Sequence, residues 1–162
     1  MKDITIQGIT FRDAADITMN PWGVPSGGDW GLYRGGAIFV EGAEDITIQH
    51  NTLTRLDGNG IFVSGYTRDV TIADNEFSWI GDSALSTLGS MGDCLYANCS
   101  VRVDFRNAHH ATAGSNGVDG RGGNQPRYTR VVGNLVREMG IWQKQSGALV
   151  QHLTAATHLE SK

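Results

Sequence analysis

The run Asp45-Ile46-Thr47-Ile48-Gln49-His50-Asn51-Thr52-Leu53-Thr54-Arg55-Leu56, continuing as Asp57-Gly58-Asn59-Gly60-Ile61-Phe62-Val63-Ser64-Gly65, decides the fold because it occurs twice. Shifted by 24 residues it returns as Asp69-Val70-Thr71-Ile72-Ala73-Asp74-Asn75-Glu76-Phe77-Ser78-Trp79-Ile80, then Gly81-Asp82-Ser83-Ala84-Leu85 and on to Gly89. Ile46/Val70, Ile48/Ile72, Asn51/Asn75, Leu53/Phe77, Leu56/Ile80, Ile61/Leu85 and Gly65/Gly89 coincide. Self-similarity at such a period marks stacked repeats, since one copy cannot bury its own apolar face.

Ile46-Thr47-Ile48 and Val70-Thr71-Ile72 alternate apolar and polar residues with the period of a strand, and their β-branched side chains suit a pleated surface. Ile46, Ile48, Leu53, Leu56, Ile61 and Val63 are the expected inward set of one copy. Asp3-Ile4-Thr5-Ile6-Gln7-Gly8-Ile9-Thr10-Phe11 reads as an earlier copy without the Asn, 42 residues before the second. Thr129-Arg130-Val131-Val132-Gly133-Asn134-Leu135-Val136 reads as a later one, 60 residues after the third. Gly36-Ala37-Ile38-Phe39-Val40-Glu41-Gly42 matches the second strand of its copy, and 147–151 with 157–159 supply a last strand pair. The expectation is an all-β solenoid in one partial domain, 1–162, with insertions at about 14–34 and 90–127. In solenoids insertions gather on one face, often the binding face.

Asn51, Asn75 and Asn134 occupy equivalent bends. Asn tolerates the left-handed conformation and its amide can bond the next copy, so they read as an internal ladder; lining a ligand site is the alternative. Glycine, 22 of 162 residues, mostly punctuates strand ends. A net charge of −4 without a Lys/Arg run gives no footing for nucleic acid. No apolar stretch approaches the roughly 20 residues of a membrane span. Cys94 and Cys99 lack the spacing of a zinc site even with His109 and His110 nearby, and Asn98-Cys99-Ser100 is a glycosylation sequon by pattern alone. No signal peptide and no cap is visible at either end, so the chain is expected to be a piece of a longer solenoid, its missing rungs being the implied partner.

Several runs carry a family resemblance: Gly8-Ile9-Thr10-Phe11-Arg12-Asp13, Gly23-Val24-Pro25-Ser26-Gly27-Gly28-Asp29-Trp30, Thr54-Arg55-Leu56-Asp57-Gly58-Asn59 and Val63-Ser64-Gly65-Tyr66. Asn75-Glu76-Phe77-Ser78-Trp79-Ile80-Gly81-Asp82, Asp119-Gly120, Gly123-Asn124-Gln125-Pro126-Arg127 and Gly140-Ile141-Trp142-Gln143-Lys144-Gln145-Ser146 extend it. Through them the chain resembles the right-handed parallel β-helix proteins of the pectate-lyase-like superfamily. It is most similar to the glycoside hydrolases among them that include α-L-fucosidase and xylanase members. The resemblance implies a carbohydrate-active protein, part of a glycoside hydrolase acting on a plant, algal or microbial polysaccharide or oligosaccharide. It implies an extracellular or periplasmic parent and no cofactor, with calcium entering only in a lyase. Residues 91–113 depart from the family pattern, as does the tail after Ser146.

Glycoside hydrolysis usually needs two carboxyls flanking the bond. Asp57 and Asp82 begin the second strand of successive copies one position out of register, so their backbones should lie about 6 Å apart. That suits a retaining pair if the bend breaks strand alternation; ordinary turn residues are the alternative. Asp119, in a Gly-rich insertion, is a third carboxylate candidate, on an exposed loop that could bind sugar. Trp142 can stack on a sugar face while Lys144 and Gln145 bond hydroxyls, with Arg127 and Trp30 joining if the insertions fold over that face. Trp79 matches Arg55 of the preceding copy and so is expected to point outward. Besides hydrolysis, two readings stand: a polysaccharide lyase taking a proton with Lys144 or Arg127, and a non-catalytic glycan-binding or structural solenoid.

Overall fold

A computed structural model describes residues 1–14, 35–89, 125–143, 146–152 and 159–161. These residues are all-β. The strands are β1 (Lys2–Gln7), β2 (Thr10–Arg12), β3 (Gly36–Gln49), β4 (Thr52–Leu56), β5 (Asn59–Ala73) and β6 (Glu76–Ile80). They continue with β7 (Leu85–Leu88), β8 (Pro126–Arg127), β9 (Thr129–Val132), β10 (Leu135–Met139), β11 (Leu149–His152) and β12 (Leu159–Ser161). None of the described residues is helical, so among them no helix is long and apolar enough to cross a membrane.

Every strand pair is parallel. The first sheet runs β1-β3-β5-β7-β11, with β8 and β9 also on β5 and β12 on β9; the second runs β10-β6-β4-β2. Repeat equivalence is pairing: Ile46 faces Val70 and Ile48 faces Ile72 across β3 and β5, and Leu53 faces Phe77 across β4 and β6. Ile4 faces Ile46 in the earlier copy, as the 42-residue offset requires. The later copy sits one residue closer than expected, Asn75 meeting Asn134 at 59 residues. The last strand pair forms as β11 on β7 and β12 on β9. Pro126-Arg127, assigned above to the second insertion, is strand β8, because its backbone pairs with Thr67 and Arg68. Residues 15–34 and 90–124, the rest of both insertions, lie outside the described residues, as do Cys94, Cys99, His109 and His110.

The core lies between the two sheets. Ile48, Leu53, Ile61, Val63, Val70, Ile72, Phe77 and Ile80 are fully buried, and Ile46 and Leu56 nearly so. Ile4, Ile6 and Phe11 at one end and Val131, Val136 and Met139 at the other are partly buried against it.

The asparagines form the ladder. Asn51 accepts the Ile9 amide on Oδ1 at 3.0 Å, Asn75 accepts the Asn51 amide at 3.0 Å, and Asn134 accepts the Asn75 amide at 3.0 Å. Their side-chain NH₂ groups donate to Ile6, Ile48 and Ile72 carbonyls of the preceding copy. The left-handed conformation, however, belongs to the residue before each Asn: Gly8, His50, Asp74 and Gly133. Each Asn must aim its amide inward to reach its neighbours, so the reversal is made one residue earlier. Two more columns of positive φ flank this one, Asp3/Asp45/Asp69/Tyr128 and Asp13/Arg55/Trp79/Glu138. These three columns bend every copy at the same places.

Candidate functional site

The third of these columns builds the site. In β4, Leu53 and Leu56 both point inward although three residues apart, because left-handed Arg55 (φ 50°) interrupts the alternation; Phe77 and Ile80 repeat this around Trp79 (φ 55°). The kink throws the intervening side chain outward. A Trp in this conformation is uncommon, since a bulky Cβ substituent crowds the following carbonyl. Trp79 is 55 % exposed, as its match to Arg55 foretold.

After the kink the chain turns toward the first sheet. Asp57 and Asp82 therefore lie in the turns before β5 and β7 instead of beginning those strands. The one-residue offset between them is present: the Asp82 amide donates to the Gly58 carbonyl at 3.3 Å, and the Gly81 amide to the Leu56 carbonyl at 2.7 Å. In the next copy Trp142 comes to lie on Gly81. The amides of Trp142 and Gln143 both donate to the Gly81 carbonyl, at 2.9 and 3.0 Å. Glycine is required there: a Cβ would stand 2.0 Å from the Asp57 carbonyl oxygen and 2.7 Å from Trp142 Cδ1.

These elements form a groove of about 370 Å³ lined by Ala14, Arg55, Leu56, Asp57, Trp79, Ile141 and Trp142. That volume falls in the roughly 300–1,000 Å³ range of small-molecule sites. Trp142 is 60 % exposed, so both indoles offer their surface to solvent. Arg55 is held from outside by Asp13, Nε to Oδ1 at 2.6 Å and Nη2 to Oδ2 at 3.0 Å. This paired guanidinium lowers the Asp13 carboxyl below its ordinary pKa, mainly through the hydrogen bond.

Of the residues singled out from sequence, the structure brings together Asp57, Trp79 and Trp142. Asp82 is not among the residues lining the groove; it is half-buried in the adjoining turn, where its Oδ1 accepts the Ser83 hydroxyl at 3.2 Å. Burial raises its pKa to about 6, against the lowering effect of the hydrogen bonds from Ser83. Arg127 is on β8 in the first sheet beside Arg68, away from the residues that line the groove. Trp30, Asp119, Lys144 and Gln145 lie outside the described residues. Sequence reasoning missed Arg55 as a lining residue, although its repeat match to Trp79 carried that signal. It also missed Asn59, a second buried amide whose Oδ1 accepts the Ser83 amide at 3.2 Å and the Ser86 hydroxyl at 3.3 Å. Among the described residues, no three His, Cys, Asp or Glu side chains converge on a metal position.

No protein-family model matches the chain, and neither does any curated protein or solved structure.

Proposed function

We propose that the chain winds as a right-handed parallel β-helix and is carbohydrate-active, forming part of a glycoside hydrolase. The observation that carries this reading is the pair of exposed indoles, Trp79 and Trp142, lining one groove with Asp57. A pyranose presents a C–H face to an aromatic ring and hydroxyls at its rim, so an aromatic platform beside a carboxylate meets both needs. The left-handed backbone at Trp79 supports it: strain of this kind persists where the side chain's position is useful. Parallel pairing at 42, 24 and 59 residues supports the winding.

In the hydrolytic form of the reading, Asp57 is nucleophile or base. Asp82, whose pKa of about 6 keeps a proton available near neutrality, is the general acid. A second form, glycan binding without cleavage, draws support from Asp82 being absent from the groove lining. A lyase is the remaining alternative within the enzyme class.

The test is a titration of the chain with a panel of polysaccharides, following indole fluorescence, alongside reducing-end and ultraviolet assays. Trp79→Ala and Trp142→Ala are each expected to weaken binding about tenfold or more, from stacking and burial worth roughly 1–2 kcal/mol. Reducing ends without a new unsaturated product, abolished in Asp57→Asn while binding survives, support hydrolysis; binding without products supports the second form. A calcium-dependent unsaturated product supports the lyase. Binding to no glycan, or binding indifferent to both Trp substitutions, refutes the proposal.

A further inference from the structure

Arg55 lines the groove, yet its guanidinium is only half engaged. Nε and Nη2 donate to Asp13 Oδ1 and Oδ2 at 2.6 and 3.0 Å, a side-on pair. The Nη1 hydrogens and the second Nη2 hydrogen meet no partner among the described residues. They form the outer fork of a planar group whose donors have fixed directions.

Backbone register fixes what flanks this fork. Arg12 pairs with Thr54 and the Asp13 amide donates to the Arg55 carbonyl at 3.0 Å, so Asp13 lies on one side. Thr54 and Leu56 pair with Ser78 and Ile80, so Trp79 lies on the other. Arg12 reaches the Asp13 carboxylate only at 3.4 Å, which leaves both hydrogen bonds of that carboxylate to Arg55. The bond from Arg55 holds the Asp13 carboxyl below its usual range, so it is ionised near neutrality.

We propose that Arg55 is a sugar-binding residue and Asp13 its positioning residue: Asp13 holds the guanidinium so that the Nη1–Nη2 fork donates to two adjacent hydroxyl oxygens of the sugar unit stacked on Trp79. The assignment rests on the glycan reading of the groove and adds to it the feature of the sugar that is read, a pair of neighbouring free hydroxyls. Neighbouring strands lie about 4.8 Å apart, so a ring over Trp79 brings its rim within reach of the next side chain in the column. Hydroxyls on adjacent ring carbons present two oxygens side by side, which a planar fork matches and an ammonium does not. Ordering a free arginine on binding weakens affinity by roughly three- to tenfold; Asp13 has ordered this one beforehand.

The test is a double-mutant cycle on the whole chain. Binding of the tightest-binding polysaccharide of the panel, native and O-methylated, is followed by indole fluorescence. Both side chains are about half exposed, so the substitutions leave the core untouched. Arg55→Ala is expected to weaken binding about tenfold or more, the worth of two hydrogen bonds, and to lose the preference for native over O-methylated glycan. Arg55→Lys, which keeps the charge without the fork, should bind no better than Arg55→Ala. Asp13→Ala should lose roughly three- to tenfold in the parent and nothing in the Arg55→Ala background, because its effect runs through Arg55. A merely structural Asp13 would weaken both backgrounds equally. That result, or parent-like binding by Arg55→Ala or Arg55→Lys, overturns the proposal and leaves the Trp79 and Trp142 reading intact. Binding to no polysaccharide overturns both.

Discussion

Removing the central asparagine of the ladder tests the fold at its most specific point. In Asn75→Ala four side-chain hydrogen bonds vanish: Oδ1 accepts the Asn51 amide and Asn51 Nδ2, and Nδ2 donates to Ile48 O and to Asn134 Oδ1, at 2.9–3.0 Å. Asn75 and Asn51 are 1 % and 2 % exposed, so water does not replace them. At about 1 kcal/mol per bond the cost is roughly 4 kcal/mol, with the Asn51 amide and Ile48 carbonyl left unmet. That is a large share of the ~5–15 kcal/mol stability of an ordinary domain. With a urea m-value of about 2 kcal/mol/M, the unfolding midpoint should fall by about 2 M, read by far-ultraviolet circular dichroism. Asn51→Ala loses three side-chain hydrogen bonds, with Ile9, Ile6 and Asn75, and should cost about as much or slightly less. Asn134→Ala, at the half-buried end, should cost about 1–2 kcal/mol because solvent can substitute. Asn75→Asp keeps the acceptor but turns a carboxylate toward two oxygens; it should be worst at neutral pH and recover as acid protonates it. If Asn75→Ala and Asn134→Ala cost the same, or Asn75→Ala costs under about 1 kcal/mol, the ladder is not what holds the copies in register.

Asp82 predicts a pH dependence: its folded pKa, about 6, exceeds its ordinary 3.8, so the folded state binds the proton more tightly and this group's contribution falls as pH rises through that interval. The penalty above pH 6 is at most roughly 3 kcal/mol; Asp82→Asn should remove it, raising the urea midpoint at pH 7.5 but not at pH 4. Gly81→Ala forces Asp57 or Trp142 to move, and should cost about 2 kcal/mol or more and abolish any glycan-dependent fluorescence change. Trp79→Gly relieves a left-handed residue whose side chain is largely exposed, so stability should stay within about 1 kcal/mol of the parent, or rise, while sugar affinity falls; a stability loss of several kcal/mol would make Trp79 a structural residue.

The fold was legible where residues repeat. Ile46/Val70 and Leu53/Phe77 could be matched by eye because parallel pairing sets equivalent residues side by side, so similarity along the chain becomes neighbourhood in space. The bends were less legible. Asp, His, Arg, Trp, Tyr and Glu all occupy positive φ in the three columns, where only the Gly8 and Gly133 positions carry the usual glycine signature. The columns recur at positions that pair between neighbouring copies, and tertiary context of that kind leaves little trace in residue type. Pro126-Arg127 shows the same limit: two residues with no strand character pair because β5 offers an edge.

The site divides along the same line. Trp79 was placed outward by its match to Arg55, and the kink explains both side chains at once. The separation of Asp57 from Asp82 was not legible, because two turns of equal composition differ in what covers them. Gly58 opposite Asp82 leaves one carboxylate tucked beside Ser83, whereas Gly81 opposite Asp57 opens room that Trp142 fills. A glycine displaced by one position between successive copies thus assigns one aspartate to the groove and the other to the turn. The repeat makes the scaffold regular; its single-residue departures from regularity make one face of it different from the rest.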